Sequence, residues 1–442
     1  MIQHAYIERV FDLMDPSQNI LLNVDYADAI ERVRRGDAEA VGQIEGQFAL
    51  IAVDGKDVRL ARSIGRPMRY FLAKQVDGPC LIVAERIDMI REQLQKLGLA
   101  DQFHPSYTRM VPAHHVLHLK LIGCPDPNPI CTRFFTPQRN RLPADVEEIG
   151  RAYIGMLAEE CGKWLDRIER REPIGVLFSG GIDSGSVLLV LYHLLLRRGE
   201  NPARLKAFTL AVDGQSDDAR QAMEFLQRLN LEMLSEVIDV PASKVDWRRT
   251  VRVLEDYKRL DVEAATMGLA LCEGIRDRYP EWTWLVDGDG GDENLKDYPI
   301  EENPELTIRS VLNNMMLYQE GWGVNAIKHS LVYSGGQSRG HVRTFAPAKH
   351  CGFSGFSPYA LTRVIDVAEG IPFIEMTDWD HGKLYGLKGA IVAAGVKAVT
   401  GLDMPVYPKR RFQHGGADLR RAESLFPQDA ASYRTEFLSQ FA

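Results

Sequence analysis

Short apolar runs alternate with turns in the first third of the chain. Residues 48–53, 58–61, 80–83 and 115–119 have the length and the Val, Leu and Ile content typical of strands. The pair Asp54-Gly55 stands between the first two runs, and Asp-Gly is a common turn in tight β-hairpins. The pattern therefore predicts a mainly antiparallel sheet.

The pattern changes after a proline-rich segment, Cys124-Pro-Asp-Pro-Asn-Pro-Ile130. Apolar positions at helical spacing predict a long amphipathic helix over residues 144–170. Strand-like runs then alternate with helical patterns such as residues 217–229, and this alternation predicts a doubly wound parallel sheet. From about residue 306 onward, helical patterns dominate. The strands predicted for the parallel sheet are residues 174–178, 205–212, 236–240 and 283–286.

This change of pattern predicts two domains. A chain of 442 residues is too long for one ordinary core. We place the boundary so that residues 1–140 form the antiparallel domain and residues 141–442 form the α/β domain with its helical extension.

Composition limits the classes of partner. The chain has 53 basic and 61 acidic residues, and a net charge of −8 argues against broad binding to nucleic acid or acidic lipid. No apolar run approaches the roughly 18 residues of a membrane span, and the start does not resemble a secretory signal. The six cysteines form no CxxC pair, so neither a disulfide scaffold nor a zinc site is indicated. We expect a cytoplasmic protein with no membrane or nucleic-acid partner.

The motif Phe178-Ser-Gly-Gly-Ile-Asp-Ser184 follows a predicted strand and precedes an apolar helix. Ligands of parallel α/β sheets bind where the carboxyl end of a strand meets the next helix. Gly180 and Gly181 would let the backbone approach a bulky anion, and the hydroxyls of Ser179 and Ser184 would add donors for a phosphate.

Asp183 is unexpected in a phosphate-binding loop, because a carboxylate repels phosphate unless a metal ion lies between them. The alternative is a plain strand-to-helix turn in which Ser and Asp cap the helix. The loop lacks the lysine of the Walker motif. It resembles the SGGxDS loop of the ATP pyrophosphatases, which bind the pyrophosphate of ATP while AMP is transferred.

A second acidic loop, Asp287-Gly-Asp-Gly-Gly-Asp-Glu293, follows another predicted strand. Its alternating acids suit a calcium loop, but the loop follows a strand and Tyr298 stands where the twelfth-position Glu belongs. Facing the first loop, it would supply a second carboxylate for Mg²⁺ on ATP. We expect Asp183 and Asp292 to be the metal pair.

Four ordered segments resemble the asparagine synthetases and their relatives, the β-lactam synthetases and lasso-peptide cyclases. The second loop, ending in Tyr298, is similar to the family's SG(D/E)GxDE…GY segment. Residues 207–213 and 217–222 resemble the strand and helix that hold adenosine, and Tyr407-Pro-Lys-Arg-Arg-Phe-Gln-His-Gly-Gly416 resembles the RPKxxFxxG segment. The nucleotide contacts that this resemblance implies are Phe178, Ser179, Gly180, Gly181, Asp183, Ser184, Thr209, Gly288 and Lys409.

The resemblance also implies catalytic roles. Lys409 would stabilise charge on the phosphates, although Lys-Arg-Arg is also typical of a solvated basic patch. Asp289 occupies a position that holds an acid in asparagine synthetases and a tyrosine in β-lactam synthetases, so it is a candidate base; alternatively, it shapes the loop or binds metal. Glu255 and Tyr257 resemble a substrate-side segment, and Asp287 replaces the family's usual serine.

The first domain resembles a class II, Ntn-type glutaminase domain, an antiparallel β-sandwich. Gly46-Gln-Phe-Ala-Leu50 and the run from Leu60 to Tyr70 follow the "GxFAfxxyD…LxLARDxxGxxPLYY" pattern. In active members an N-terminal cysteine attacks glutamine, whereas position 2 here is Ile2 and the first cysteine is Cys80. We therefore expect a degenerate domain without glutaminase activity.

The sequence as a whole predicts an ATP- and Mg²⁺-dependent, AMP-forming amide synthetase of specialised metabolism. Its partners would be a small-molecule carboxylate and an amine, joined within one molecule or between two. The alternatives are a lasso-type macrolactam cyclase, an ammonia-dependent asparagine-synthetase-like enzyme fed by a separate subunit, and a non-catalytic scaffold. A homodimer and a carrier or peptide substrate stay open.

Overall fold

The computed structural model describes residues 9–75, 78–121, 129–297, 307–316, 339–407 and 425–442. The chain divides into two compact units. The first runs from Met1–Thr136 and the second begins at Pro137, while Phe441–Ala442 group with the first unit. The boundary predicted from the sequence lies between residues 140 and 141.

The first unit contains two four-stranded sheets. Its strands are β1 Val10–Asp12, β2 Ile20–Leu21, β3 Gly46–Gln47, β4 Ala49–Asp54, β5 Asp57–Arg62, β6 Arg69–Ala73, β7 Cys80–Ala84, β8 Arg109–Met110, β9 His115–Lys120 and β10 Ile130–Arg133, and its helices are α1 Tyr26–Arg35, α2 Ala38–Gly42 and α3 Ile87–Lys96. One sheet has the order β1-β7-β6-β8 and the other β10-β9-β5-β4. The pairs within these sheets are antiparallel, except that β1 runs parallel to β7.

Apolar side chains of both sheets share one core in the first unit. Ile51 and Leu60 from one sheet pack in the same buried cluster as Tyr70 and Val83 from the other. Asp54-Gly55 lies at the turn of the β4–β5 hairpin, as its sequence predicts. The predicted apolar runs thus become strands whose inward residues meet between the two sheets.

A five-stranded parallel sheet forms the centre of the second unit. Its strands are β11 Ile174–Leu177, β12 Leu205–Val212, β13 Ser235–Val240, β14 Trp284–Val286 and β15 Ser354–Phe356. They lie in the order β13-β12-β11-β14-β15, and all four pairs are parallel. The predicted α/β class with a parallel sheet is therefore confirmed. The prediction that helices dominate after residue 306 misses β15, because Ser-Gly-Phe is too short and too polar to read as a strand.

Helices cover this sheet. In chain order they are α4 Val146–Leu165, α5 Ile182–Arg197, α6 Asp217–Arg228, α7 Trp247–Leu254, α8 Arg259–Arg278, α9 Gly291–Asn294, α10 Ile308–Asn313, α11 Arg339–His350, α12 Thr362–Glu369, α13 Phe373–Thr377, α14 His381–Thr400 and α15 Ala430–Ser439. Helix α8 packs on β12 and β13, whereas α5 contacts β11 and lies against α4 and α14. Among the helices of the described ranges, none has the length and hydropathy required to cross a membrane.

The strand order places a topological switch point between β11 and β14. From β11 the chain builds β12 and β13 on one side, whereas β14 and β15 lie on the other side. The loops that leave neighbouring strands at such a point diverge, and ligands of doubly wound sheets bind in the crevice between them. The two loops singled out by their sequence follow these two central strands.

Candidate active site

Two buried residues anchor the loop that follows β11. The backbone N–H of Phe178 donates to the carbonyl of Phe208 at 2.8 Å, and its ring packs on the edge of Phe225. The hydroxyl of Thr209 donates to the carbonyl of Phe178 at 2.6 Å. Phe178 and Thr209 therefore fix the start of the loop, and their predicted contact with a nucleotide stays a prediction.

The loop itself is a tight turn into α5. Gly180 has a positive φ of 72°, which a residue with a side chain adopts only at a cost. The N–H of Ser179 donates to the Ser184 hydroxyl at 3.3 Å, and the N–H of Gly181 donates to the Ser179 hydroxyl at 3.3 Å. Helix α5 begins at Ile182 without a side-chain cap. A helix N-terminus whose first amides lack a cap, preceded by two hydroxyls, suits a phosphate group.

The loop after β14 touches the first loop. A Cβ at Gly288 would lie 2.7 Å from the backbone nitrogen of Ser184 and 2.9 Å from the carbonyl carbon of Asp183. A Cβ at Gly291 would lie 2.2 Å from an oxygen of Asp183. Any larger residue would push the loops apart, so the glycines of the second loop are required by this close approach.

A lysine joins the carboxylates of the two loops. The ammonium of Lys388 contacts an oxygen of Asp183 at 2.6 Å and an oxygen of Asp292, and it lies 3.5 Å from Asp297. Only 3% of the Lys388 side chain is exposed. Burial alone would lower the pKa of Lys388, but the three aspartates outweigh it and hold that pKa well above its usual value. The predicted pair, Asp183 and Asp292, is thus brought together on one cation.

Sequence reasoning misses Lys388, although a signal for it exists. Helix α14 buries Leu384, Ile391 and Val392, and Lys388 lies on the same face, four residues after the first and three before the second. A lysine in the apolar stripe of a helix requires an anionic partner, because burying an unpaired charge is costly. Asp183 stands 205 residues earlier and Asp292 stands 96 residues earlier, so the pairing itself cannot be read from local pattern.

The acidic pair fits a magnesium ion that arrives with a nucleotide. Among the described residues, no group of three or more His, Cys, Asp or Glu side chains forms a metal site. Mg²⁺ does not need one at a nucleotide site, because one or two carboxylates suffice when phosphates and water supply the other ligands. Lys388 contacts one oxygen of Asp183 and one of Asp292, and each carboxylate has a second oxygen.

Asp287 and Asp289 share one hydroxyl. The Thr344 Oγ1 lies 2.9 Å from Asp287 Oδ2 and 2.6 Å from Asp289 Oδ2. The Ser357 hydroxyl also contacts Asp287 Oδ2, at 2.9 Å, and the N–H of Asp289 donates to Asp287 Oδ1 at 3.0 Å. A threonine hydroxyl has a single proton to donate, so both contacts are hydrogen bonds only if one of the two carboxyl groups is protonated.

The electrostatics of this pair favour the shared proton. Burial raises the pKa of Asp287 to about 6, against the hydrogen bonds from Thr344 and Ser357. Burial, and then the charge of Asp287, raise the pKa of Asp289 well above its usual value. The pair can therefore hold one shared proton near neutral pH.

Helix α11 connects this pair to another part of the unit. Thr344 belongs to α11, and the preceding residue, Arg343, donates from Nε to Asp261 Oδ1 at 2.9 Å. Asp261 is buried in the first turn of α8. The helix thus bridges the second loop and the first turn of α8, which follows the segment that carries Glu255 and Tyr257.

Glu255 and Tyr257 lie in this connecting segment. Glu255 ends α7 in a left-handed conformation, with φ 52°, and is buried. A positive φ is uncommon for a residue with a side chain, and such strain often occurs at functional sites. The ring of Tyr257 packs against Phe437, with 5.4 Å between centroids. Their predicted role on the substrate side stays a prediction.

A buried network braces the first turn of α5 against the second loop. The Ser186 hydroxyl donates to the carbonyl of Asp183 at 2.8 Å and lies 2.6 Å from the Tyr359 hydroxyl. Asn294 Nδ2 donates to the Tyr359 carbonyl at 2.9 Å and to the Tyr153 hydroxyl at 3.1 Å. The loop carrying Asp183 is therefore held by residues of three other elements.

Two predicted residues lie outside the described residues. They are Tyr298, which ends the second motif, and Lys409, which the resemblance assigns to the phosphates; residues 298–306 and 408–424 are not described. The role of Lys409 therefore stays a prediction.

The fold and the site define a class of protein. A doubly wound sheet with a hydroxyl- and glycine-rich loop and an acidic loop at its switch point is typical of enzymes that bind a nucleotide with a metal ion. The asparagine synthase family model matches residues 165–373, so this segment is similar to the asparagine synthetases. None of the curated proteins matches the chain significantly.

The matched family indicates a general reaction. Enzymes of this family are ATP-dependent ligases of the amidotransferase type, and they use ATP, typically with Mg²⁺. The matched segment contains both loops, Thr344 and the segment with Glu255 and Tyr257. It ends before α14, which carries Lys388, and it does not include residues 1–136.

Proposed function

We propose that the protein is an amide-bond synthetase that adenylates a substrate carboxylate and couples it to an amine. The observation that carries the proposal is the convergence of Asp183 and Asp292 on one ammonium at the switch point of the sheet. Sites that bind a polyphosphate with a metal ion place carboxylates close together in this way.

In the first half-reaction, an oxygen of the substrate carboxylate attacks the α-phosphorus of ATP, and the bond to the β-phosphate breaks. The loop from Ser179 to Ser184 holds the leaving pyrophosphate, with the first amides of α5 donating to its oxygens. Asp183 and Asp292 would hold the Mg²⁺ that arrives with ATP, and the bound ion would neutralise charge on the phosphates. Lys409 is the candidate for a further positive charge at the α-phosphate.

In the second half-reaction, the amine attacks the acyl carbon and AMP leaves with the electrons of the C–O bond. A protonated amine is not a nucleophile, so a base has to take its proton. Asp289, half-buried and paired with Asp287, is the candidate base. Glu255 and Tyr257 are the candidates on the substrate side.

The first unit does not act as a glutaminase in this proposal. Cys80, the first cysteine of the sequence, is buried in β7, and burial raises the pKa of its thiol to about 11. A thiol in that state is neither accessible nor ionised near neutral pH. The unit is then a degenerate relative of the glutaminase domain, and the amine is free or belongs to the substrate itself.

The test is pyrophosphate release with ATP, Mg²⁺ and pools of carboxylates, with and without added amines. Release without an added amine indicates an intramolecular nucleophile, and release only with ammonia indicates a synthetase fed by another subunit. Asp183→Ala should abolish turnover, because one of the two metal carboxylates is lost. Asp277→Ala, which removes an exposed carboxylate paired with Lys244, should leave it unchanged.

Two outcomes would contradict the proposal. Near-normal turnover by a folded Asp183→Ala variant would exclude the metal role of Asp183. If the wild-type protein neither binds ATP nor catalyses ATP–pyrophosphate exchange with any carboxylate pool, the protein is a non-catalytic scaffold.

A further inference from the structure

Three aspartates converge on Lys388 from separate turns. Asp183 lies in the first turn of α5, Asp292 in the first turn of α9, and Asp297 shortly after α9. Their exposed side-chain fractions are 21%, 30% and 11%, so water screens them only in part. Like charges this close repel one another unless a cation lies among them. The ammonium of Lys388 is such a cation.

We propose that Lys388 is a positioning residue of the nucleotide site: its ammonium is a resident cation that holds Asp183 and Asp292 together before the nucleotide binds. The proposal rests on the nucleotide site proposed above. Helix α14 lies outside the segment that the family model matches. The proposal gives this helix a role in holding the two loops together.

The charges explain why a lysine and a divalent ion can both belong here. Three ionised aspartates and one ammonium leave a residual charge of two negative units, which is the charge that one divalent ion neutralises. The ammonium of Lys388 donates to Asp183 and to Asp292, and it lies 3.5 Å from Asp297. Within this group of four side chains, Lys388 thus offsets one of three negative charges, and the group can still attract a divalent ion.

The same geometry sets the order of binding. Without phosphates, a divalent ion has to compete with Lys388 for Asp183 and Asp292 and finds few other protein ligands among the described residues. With a nucleotide, the phosphates supply the remaining ligands. Mg²⁺ alone should therefore bind the wild-type protein weakly, and removal of the ammonium should turn the three carboxylates into a site for the ion by itself.

The test measures the melting temperature against Mg²⁺ concentration without nucleotide. Lys388→Met keeps an unbranched apolar side chain on the buried face of α14 but removes the charge. The variant should melt below wild type and recover by about 3 °C or more in millimolar Mg²⁺, because an ion bound to the folded state stabilises it by mass action. Wild type should move by less than about 1 °C under the same conditions.

A second variant covers the case in which Lys388→Met does not fold. Lys388→Met with Asp297→Asn has two aspartates and no ammonium, so its residual charge equals that of wild type, and it should still gain stability from Mg²⁺. The matched control is Lys296→Met, which removes another buried ammonium, 3.1 Å from Glu369, outside the acidic trio. It should be destabilised without recovery in Mg²⁺, because a purely structural ion pair is not replaced by the free ion.

The changes in melting temperature with Mg²⁺ decide whether Lys388 has this role. Recovery in Mg²⁺ by either Lys388 variant, without a response of wild type and Lys296→Met, supports the role of Lys388. No Mg²⁺ response in either variant, or an equal response in wild type, overturns it. A non-hydrolysable ATP analogue with Mg²⁺ is added to wild type as a separate arm. If the analogue gives no stabilisation, the proposed nucleotide site fails, whereas the Mg²⁺-only comparison still decides the role of Lys388.

Discussion

Replacement of Asp287 by Asn tests the shared proton at the second loop. Burial raises the pKa of Asp287 from 3.8 to about 6 in the folded protein. Because the folded pKa lies above the unfolded one, folding favours the protonated form, and the stability that this proton contributes is lost as the pH rises from about 4 to about 6. Above that range, the folded protein has to bury the charge.

The size of the stability effect follows from the shift in the pKa of Asp287. At about 1.4 kcal/mol for each pKa unit, a shift of roughly two units costs about 3 kcal/mol of unfolding free energy at pH 8 relative to pH 4. Asp287→Asn removes the ionisation and keeps a side chain that can hydrogen-bond to Thr344 and Ser357. The variant should therefore be more stable than wild type at pH 8 and lose most of that advantage near pH 4.5.

The assay is urea unfolding of both proteins at pH 4.5, 6 and 8, followed by tryptophan fluorescence. Trp164 and Trp284 are in contact in the second unit, and Trp284 starts the strand that leads to Asp287. Asp277→Asn, an exposed carboxylate on α8, is the control and should give a difference from wild type that changes little with pH. If the Asp287→Asn difference is also the same at all three pH values, the inference of a shared proton is refuted.

Two further substitutions test the geometry of the site. Gly288→Ala should abolish binding of an ATP analogue, measured by calorimetry, because its Cβ would lie 2.7 Å from the backbone nitrogen of Ser184. The control is Gly155→Ala, whose Cβ meets nothing within 4 Å. It should bind the analogue normally and gain up to about 1 kcal/mol of stability. Unchanged binding by Gly288→Ala would exclude the close approach. Glu255→Gly should relieve the backbone strain at φ 52° and leave the melting temperature unchanged or higher, while turnover falls if the carboxylate faces the substrate. A folded Glu255→Gly variant with normal turnover would remove Glu255 from the candidate site.

The features of the fold that depend only on neighbouring residues in the sequence could be predicted. The β4–β5 hairpin follows from Asp-Gly between two apolar runs, and β12, Leu205–Val212, has the predicted bounds because an eight-residue apolar run between turns has few alternatives. Strand β15 is three residues long, and its place in the sheet depends on pairing with β14, which no local pattern records.

The partners across the site could not be predicted for a similar reason. The carboxylates were visible from the sequence because they stand in two short motifs. Lys388 lies 205 residues after Asp183, and Thr344 lies 57 residues after Asp287, so only the packing of α14 and α11 brings them there. A charge on an apolar helical face showed that a partner was needed, but not which one.

The position of Lys388 also determines which part of the chain has to be transferred together when this site is grafted into another protein. A fragment cut at residue 373, where the family signature ends, would keep both loops and lose the ammonium between their acids. Asp183 and Asp292 would lose the buried ammonium that both contact, and with it one link between the two loops. The smallest portable catalytic module is therefore longer than the recognisable signature, and a chimaera or library built on this scaffold should carry the helix to Thr400 with it.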